Sequence, residues 1–227
     1  MKAPSIENIS DSQDVDALVD LFAKGRYKEA AILAEKLMLK FPLDGFAWKV
    51  LGAVCAKLGR SQDALVIMQK AVSLSPNDAE IHCNLGVLLQ ESKRLSESEK
   101  AYTRALALQA DYRAAHFNLA NLLYASNRLS EAELAYRRML ELMPDFAEAH
   151  SNLGVLLQKS KRLIESEASY RRALELKPDY AEALNNLGVL LQQSRRLTES
   201  AAAYRRALKL KPDYADAQMN LMQLLPH

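Results

Sequence analysis

A chain of 227 residues with 30 basic and 28 acidic side chains carries a formal net charge of +2, so no global field draws it to nucleic acid or to an anionic membrane. It is 49% hydrophobic and 26% charged with only 7 Gly and 7 Pro, the make-up of an ordered, helix-rich chain rather than a disordered one. Two cysteines, Cys55 and Cys83, are too few for a disulfide framework in a body of this size and read as reduced, packed thiols.

The opening residues, MKAPSIENIS, hold no apolar signal core, and no later apolar run approaches the length of a bilayer span. Residues 1–10 are therefore read as a short lead-in, and the chain as cytoplasmic with no membrane partner. Residues 11–44 then show two helical stripes, Val15, Leu18, Leu21 and Phe22, followed by Ala30, Leu33, Leu37 and Met38. Gly25-Arg26 breaks them and Pro42 stops the second.

This script recurs every 34 residues, in 45–78, 79–112, 113–146, 147–180 and 181–214, with a partial seventh copy in 215–227. Self-similarity at a fixed period sets the architecture before any single residue is weighed. A helix of about 14 residues is roughly 21 Å long, so each unit is a compact two-helix hairpin. Six such units plus a single C-terminal helix predict an all-α chain whose units contact mainly their neighbours.

Small residues recur where the two helices of a hairpin must approach. The eighth place holds Gly52, Gly86, Ala120, Gly154 and Gly188; the twentieth holds Ala30, Ala64, Ser98, Ala132, Ser166 and Ser200. A glycine inside a helix costs about 1 kcal/mol against alanine, so its recurrence implies close packing in return. Tyr102, Tyr136, Tyr170 and Tyr204 are placed to fill the gap. Proline closes five units of six, and the exception, Ala110, predicts a looser turn after Ala107-Leu108.

The spacing of NLG or NLA, the small residue, the aromatic, Ala-Leu and Pro-Asp-Tyr resembles the tetratricopeptide repeat across residues 11–225. The resemblance implies a right-handed α-solenoid, a superhelix with first helices on its concave side and second helices on its convex side. Repeat one departs most, with Leu18 and Leu37 where small residues are usual and Ala34 in place of tyrosine, as an end-capping repeat would.

Asn84, Asn118, Asn152, Asn186 and Asn220 recur one per repeat, on a helix face turned away from the packed stripe. An amide offers both a donor and an acceptor, matching the backbone of an extended peptide. The column looks like the asparagine ladder in the repeat region of O-linked N-acetylglucosamine transferases, which holds peptides by their main chain. The same residues can instead bridge neighbouring helices, and both readings stand at this point. At about 1 kcal/mol net per hydrogen bond, five contacts fall short of the roughly 8 kcal/mol of micromolar binding, so further contacts are needed. Phe117, Asn121, Tyr124, Gln158, Asn185 and Gln192 are the expected additional lining.

His82, His116 and His150 share one place, but metal ligands must converge within about 2 Å of one ion, whereas stacked helices stand about 10 Å apart. They read as packing residues, and neither metal nor cofactor is expected. Basic pairs such as Lys161-Arg162 and Arg171-Arg172 are interleaved with Glu165 and Glu167, which reads as a salt-bridged outer face rather than a nucleic-acid stripe. No phosphate loop or nucleophile motif stands outside the repeat pattern.

The expectation is a non-catalytic scaffold that binds an extended peptide or partner segment in its groove. Two alternatives stay open. One is the recognition part of a larger bacterial glycosyltransferase or sulfotransferase-like enzyme, whose N-terminal repeats the pattern DALVDLFAKGRYKEA resembles. The other is self-association through the apolar C-terminal helix, where Met219, Leu221, Met222, Leu224 and Leu225 exceed what one helix needs.

Overall fold

The computed structural model describes residues 12–224, so the lead-in and Leu225 lie outside the described residues. Among these there are 13 α-helices and no strand. The first seven are α1 (Ser12–Ala23), α2 (Tyr27–Lys40), α3 (Gly45–Lys57), α4 (Ser61–Leu74), α5 (Ala79–Glu91), α6 (Leu95–Leu108) and α7 (Arg113–Ala125). The remainder are α8 (Leu129–Leu142), α9 (Ala147–Lys159), α10 (Leu163–Leu176), α11 (Ala181–Gln193), α12 (Leu197–Leu210) and α13 (Ala215–Leu224). The chain forms two compact units, one up to Asn118 and one from Leu119, with the division inside α7.

Within the first unit the hairpins α3–α4 and α5–α6 pack internally, α2 and α4 each pack on the following first helix, and α3 touches α5. The second unit repeats the scheme: α9–α10 and α11–α12 pair, α10 packs on α11 and α12 on α13, and α9, α11 and α13 form a row. Inside each hairpin the turn needs one residue with positive φ. Gly25 (70°) and Gly59 (75°) supply it in the first two, but Lys93 (59°), Asn127 (60°), Lys161 (63°) and Arg195 (59°) do so afterwards. A side chain there meets its own carbonyl, at a cost of about 1 kcal/mol.

The small-residue columns do what their spacing predicts. A Cβ added at Gly86, Gly154 or Gly188 would stand 2.5, 2.7 and 2.5 Å from the rings of Tyr102, Tyr170 and Tyr204. The serines at the twentieth place seal the same contact: Ser98, Ser166 and Ser200 each donate to the glycine carbonyl opposite at 2.7 Å. The tyrosines are fully buried, each contributing on the order of 1.5–3 kcal/mol. Repeat one inverts the volumes: Leu18 replaces the glycine, Ala34 replaces the tyrosine, and both are completely buried in one cluster.

The turn at Ala110 is not looser than its siblings. Tyr112 N–H bonds to Gln109 O at 3.1 Å, as Tyr180 N–H does to Lys177 O at 3.2 Å, so backbone hydrogen bonds hold the turn without proline. At the other end, Met219 and Met222 of α13 are 55% and 70% exposed. No described helix is long and apolar enough to cross a membrane.

Candidate functional site: the face of the first helices

The fourth place of the repeat proves to be a cap for the preceding turn. His82, His116 and His150 point Nε2 at the carbonyls of Pro76, Ala110 and Pro144 at 2.9, 2.9 and 2.8 Å. Trp48 and Gln218 do the same for Pro42 and Pro212 at 3.2 and 2.8 Å. Leu184 has no donor, and there Arg206 reaches across to the Pro178 carbonyl at 3.3 Å. These contacts account for the histidines, and the described residues hold no cluster of three His, Cys, Asp or Glu able to bind a metal ion.

Two places later stands the asparagine column, and its members are not equivalent. Asn118 donates to Cys83 Sγ at 3.7 Å, Asn152 to Asn121 Oδ1 at 3.0 Å, and Asn220 to Asn185 Oδ1 at 3.1 Å. Each bond runs back to the preceding repeat, so three of the five amides bridge neighbouring helices. Their own Oδ1 atoms accept nothing among the described residues. Asn84 and Asn186 make no side-chain hydrogen bond there at all. The reason is local: before Asn84 the preceding repeat offers Lys49 and Ala53, neither an acceptor. Before Asn186 it offers Val155, again no acceptor, and Ser151, which is buried.

The expected lining is also partly structural. Gln158 Oε1 accepts from Tyr170 at 2.9 Å and its amide donates to Gln193 at 2.9 Å; Gln192 accepts from Tyr204 at 3.0 Å. Asn121 accepts from Tyr136 as well as from Asn152. Asn185 is 6% exposed, so its role as acceptor for Asn220 is an interior one. Tyr124 lies half-buried with the Lys159 ammonium 5.0 Å over its ring, and Phe117 is half-buried and engaged. Burial raises the Cys83 thiol to about 11 and the Tyr102 hydroxyl to about 12, so both are neutral and inert.

One feature of this face lies outside the expected residues. A cavity of about 560 Å³ opens among α1, α3 and α5, with Met68 of α4 at its base. Its walls are Val19, Phe22, Phe46, Val50, Val87 and Leu88, and Asn84 looks into it. The signal was present in repeat two, where Val50 replaces asparagine and Ala53 and Ala56 stand where later repeats carry larger groups. Lys49, 14% exposed, is held at the rim by Asp78 at 3.2 Å and Glu80 at 2.7 Å.

On the opposite side, the arginine at the sixteenth place pairs with an acid three residues on in every repeat, from Arg26–Glu29 and Arg60–Asp63 to Arg196–Glu199. In the second unit these pairs fuse. Glu133 takes Arg137 and Arg162 at 2.8 and 2.6 Å, and Glu167 takes Arg171 and Arg196 at 2.7 Å each. Burial pushes the Glu133 and Glu167 carboxyls up, and the arginine hydrogen bonds outweigh it and hold both below the ordinary value.

Tetratricopeptide-repeat models match residues 16–79, 79–112, 120–161 and 145–213. No curated protein matches the chain in sequence. Among solved structures, pilF of Pseudomonas aeruginosa is similar at 17% identity and a TM-score of 0.83, over 93% of this chain and 96% of that one. YrrB, described as a TPR protein with an unusual peptide-binding site, is 19% identical with a TM-score of 0.66, over 82% and 96%. MamA from Desulfovibrio magneticus RS-1 is 16% identical with a TM-score of 0.69, over 75% and 96%. At such identities the likeness is one of fold, the all-α solenoid class.

Proposed function

Because the chain is a tandem array of tetratricopeptide repeats, we propose that it is a non-catalytic scaffold that holds an extended peptide or partner segment along its first helices. The observation that carries this is the state of the asparagine column. Three amides each spend one N–H on the preceding repeat, which fixes their orientation and leaves Oδ1 as an acceptor. A column of acceptors reads peptide N–H groups.

The repeat period favours one backbone form. Packed helices lie about 8–10 Å apart. A polyproline II segment advances about 9.3 Å in its three-residue turn and makes no internal hydrogen bonds, so every third N–H is free on one side. A flat β-strand presents alternate residues to one face and falls out of step. The likeness to O-linked N-acetylglucosamine transferase repeats agrees in kind with this reading, though here the amides are only half available.

The test is an arrayed library of linear peptides probed with the wild-type chain and with Asn84→Ala/Asn186→Ala. Neither residue has a side-chain hydrogen bond among the described residues, so the double variant keeps its helical spectrum and unfolding midpoint while binding weakens about thirtyfold, for two hydrogen bonds of about 1 kcal/mol each. Unchanged binding sinks the amide reading.

A further inference from the structure

Resting on that reading, we propose that the cavity among α1, α3 and α5 is the specificity pocket of the site and takes one bulky apolar side chain of an uncharged extended segment. A volume of about 560 Å³ lies within the range of about 300–1,000 Å³ typical of ligand pockets. Apolar side chains form its walls, so what it recognises is apolar surface.

Its existence follows from two small residues. In repeats three, five and six the twelfth place is a glutamine tied to the tyrosine of the second helix. Repeat two has Ala56 at that place, Ala53 at the ninth and Met68 instead of tyrosine, so that volume stays empty.

The charges at the rim specify a neutral guest. On the lining itself Lys49 is balanced by Glu80 at 2.7 Å, with Asp78, off the lining, at 3.2 Å. Lys57 and Glu91, the other charged groups on the lining, are of opposite sign. A charged segment therefore gains no net attraction and loses hydration. Asn84 completes the recognition. It lines the cavity with both its donor and its acceptor unused among the described residues, so it can hold both an N–H and a C=O of the backbone that delivers the anchor.

The peptide array tests this with a graded filling of the pocket, Ala53→Val and Ala53→Leu, both on a half-buried helical position. The best wild-type ligands are expected to share one Leu, Met or Phe, and exchanging it for Ala weakens Kd at least about tenfold. The Ala53 series weakens the anchored peptide stepwise and leaves the Ala-exchanged peptide unchanged, a non-additivity that a general loss of folding does not produce. If peptides bind and depend on Asn84 and Asn186 but ignore the Ala53 series, the pocket assignment is overturned while the scaffold reading stands. If no peptide binds, both fail. If light scattering shows a dimer that Ala53→Leu dissolves, with peptides unaffected, the occupant is a second copy and the proposal is overturned.

Discussion

Repeat two in the first unit and repeat five in the second follow the same helix–turn–helix scheme with different chemistry. In repeat two the hairpin interior is Gly52, Ala64 and Met68, the turn is Gly59, and the face beside it is hollow. In repeat five the interior is Gly154, Ser166 and Tyr170, locked by Ser166 to the Gly154 carbonyl and by the Tyr170 hydroxyl to Gln158, and the turn is Lys161. The second arrangement is rigid because a ring and two directional hydrogen bonds replace a flexible thioether. Repeat five is filled and bonded, whereas repeat two borders the cavity.

The sharpest way to break this comparison is to add one methyl group to each hairpin. At Gly154 the new Cβ meets the Tyr170 ring at 2.7 Å, and a ring held by Gln158 cannot move aside. Gly154→Ala is expected to cost about 1–3 kcal/mol as overpacking, even after the helix-propensity gain. At Gly52 the methyl meets only the Met68 Cε at 2.8 Å, and Met68 borders the cavity into which it can shift. Gly52→Ala is expected to be neutral or to stabilise by up to about 1 kcal/mol. Denaturant midpoints of the two variants should move in opposite directions or by clearly unequal amounts; equal losses would remove the distinction between the repeats.

A smaller effect is expected at Ser166, whose hydroxyl is completely buried against the Gly154 carbonyl. Ser166→Ala loses one such bond, about 1 kcal/mol. Repeats two and four carry Ala64 and Ala132 at this place and lack the bond from the outset. Hydrogen exchange at the amides of α9 and α10 should rise in the variant with no change in α3 and α4.

The turns separate the two repeats with the opposite sign. Lys161→Gly relieves a left-handed lysine and is expected to stabilise by about 0.5–1 kcal/mol, part of the roughly 1 kcal/mol of strain being offset by glycine's freedom in the unfolded chain. Gly59→Lys should cost a similar amount. Thermal melts of both variants check this, and a destabilised Lys161→Gly would mean that the lysine side chain, not the backbone, matters at the turn.

Much of the framework was legible in the sequence, because glycine opposite tyrosine and serine opposite glycine are volume relations that a period of 34 displays directly. The site was legible only in outline. Whether Asn118 or Asn84 is committed depends on what the preceding repeat offers, Cys83 in one case and Ala53 in the other. A helix-face count places Cα atoms and cannot say that Gln158, expected in the lining, also accepts from the Tyr170 hydroxyl. The cavity was missed since it is made by what repeat two lacks, and a column of similarities does not advertise a gap. The salt-bridged face was legible in pairs such as Lys161-Arg162 beside Glu165, and what pairwise reading hides is that the sixteenth-place arginine recurs in all six repeats.

The smallest expected effect concerns acid. The first unit's turns carry isolated pairs such as Arg60–Asp63, whereas Glu167 in the second joins Arg171 on its own helix to Arg196 on the next repeat. Its carboxyl is depressed in the folded chain, so the stabilisation is present above the unfolded value of about 4.3 and fades as pH falls through the lower folded value. Glu167→Gln should therefore cost about 0.5–1 kcal/mol at neutral pH, the range of exposed pairs joined in a network, and nothing once the wild-type carboxyl is protonated. Denaturant midpoints of the two proteins, measured from neutral pH downwards, should converge below the ordinary carboxylate range. Midpoints that stay a constant distance apart would assign the loss to packing of the Glu167 stem, and the fused ion pairs would then add nothing to the rigidity of the second unit.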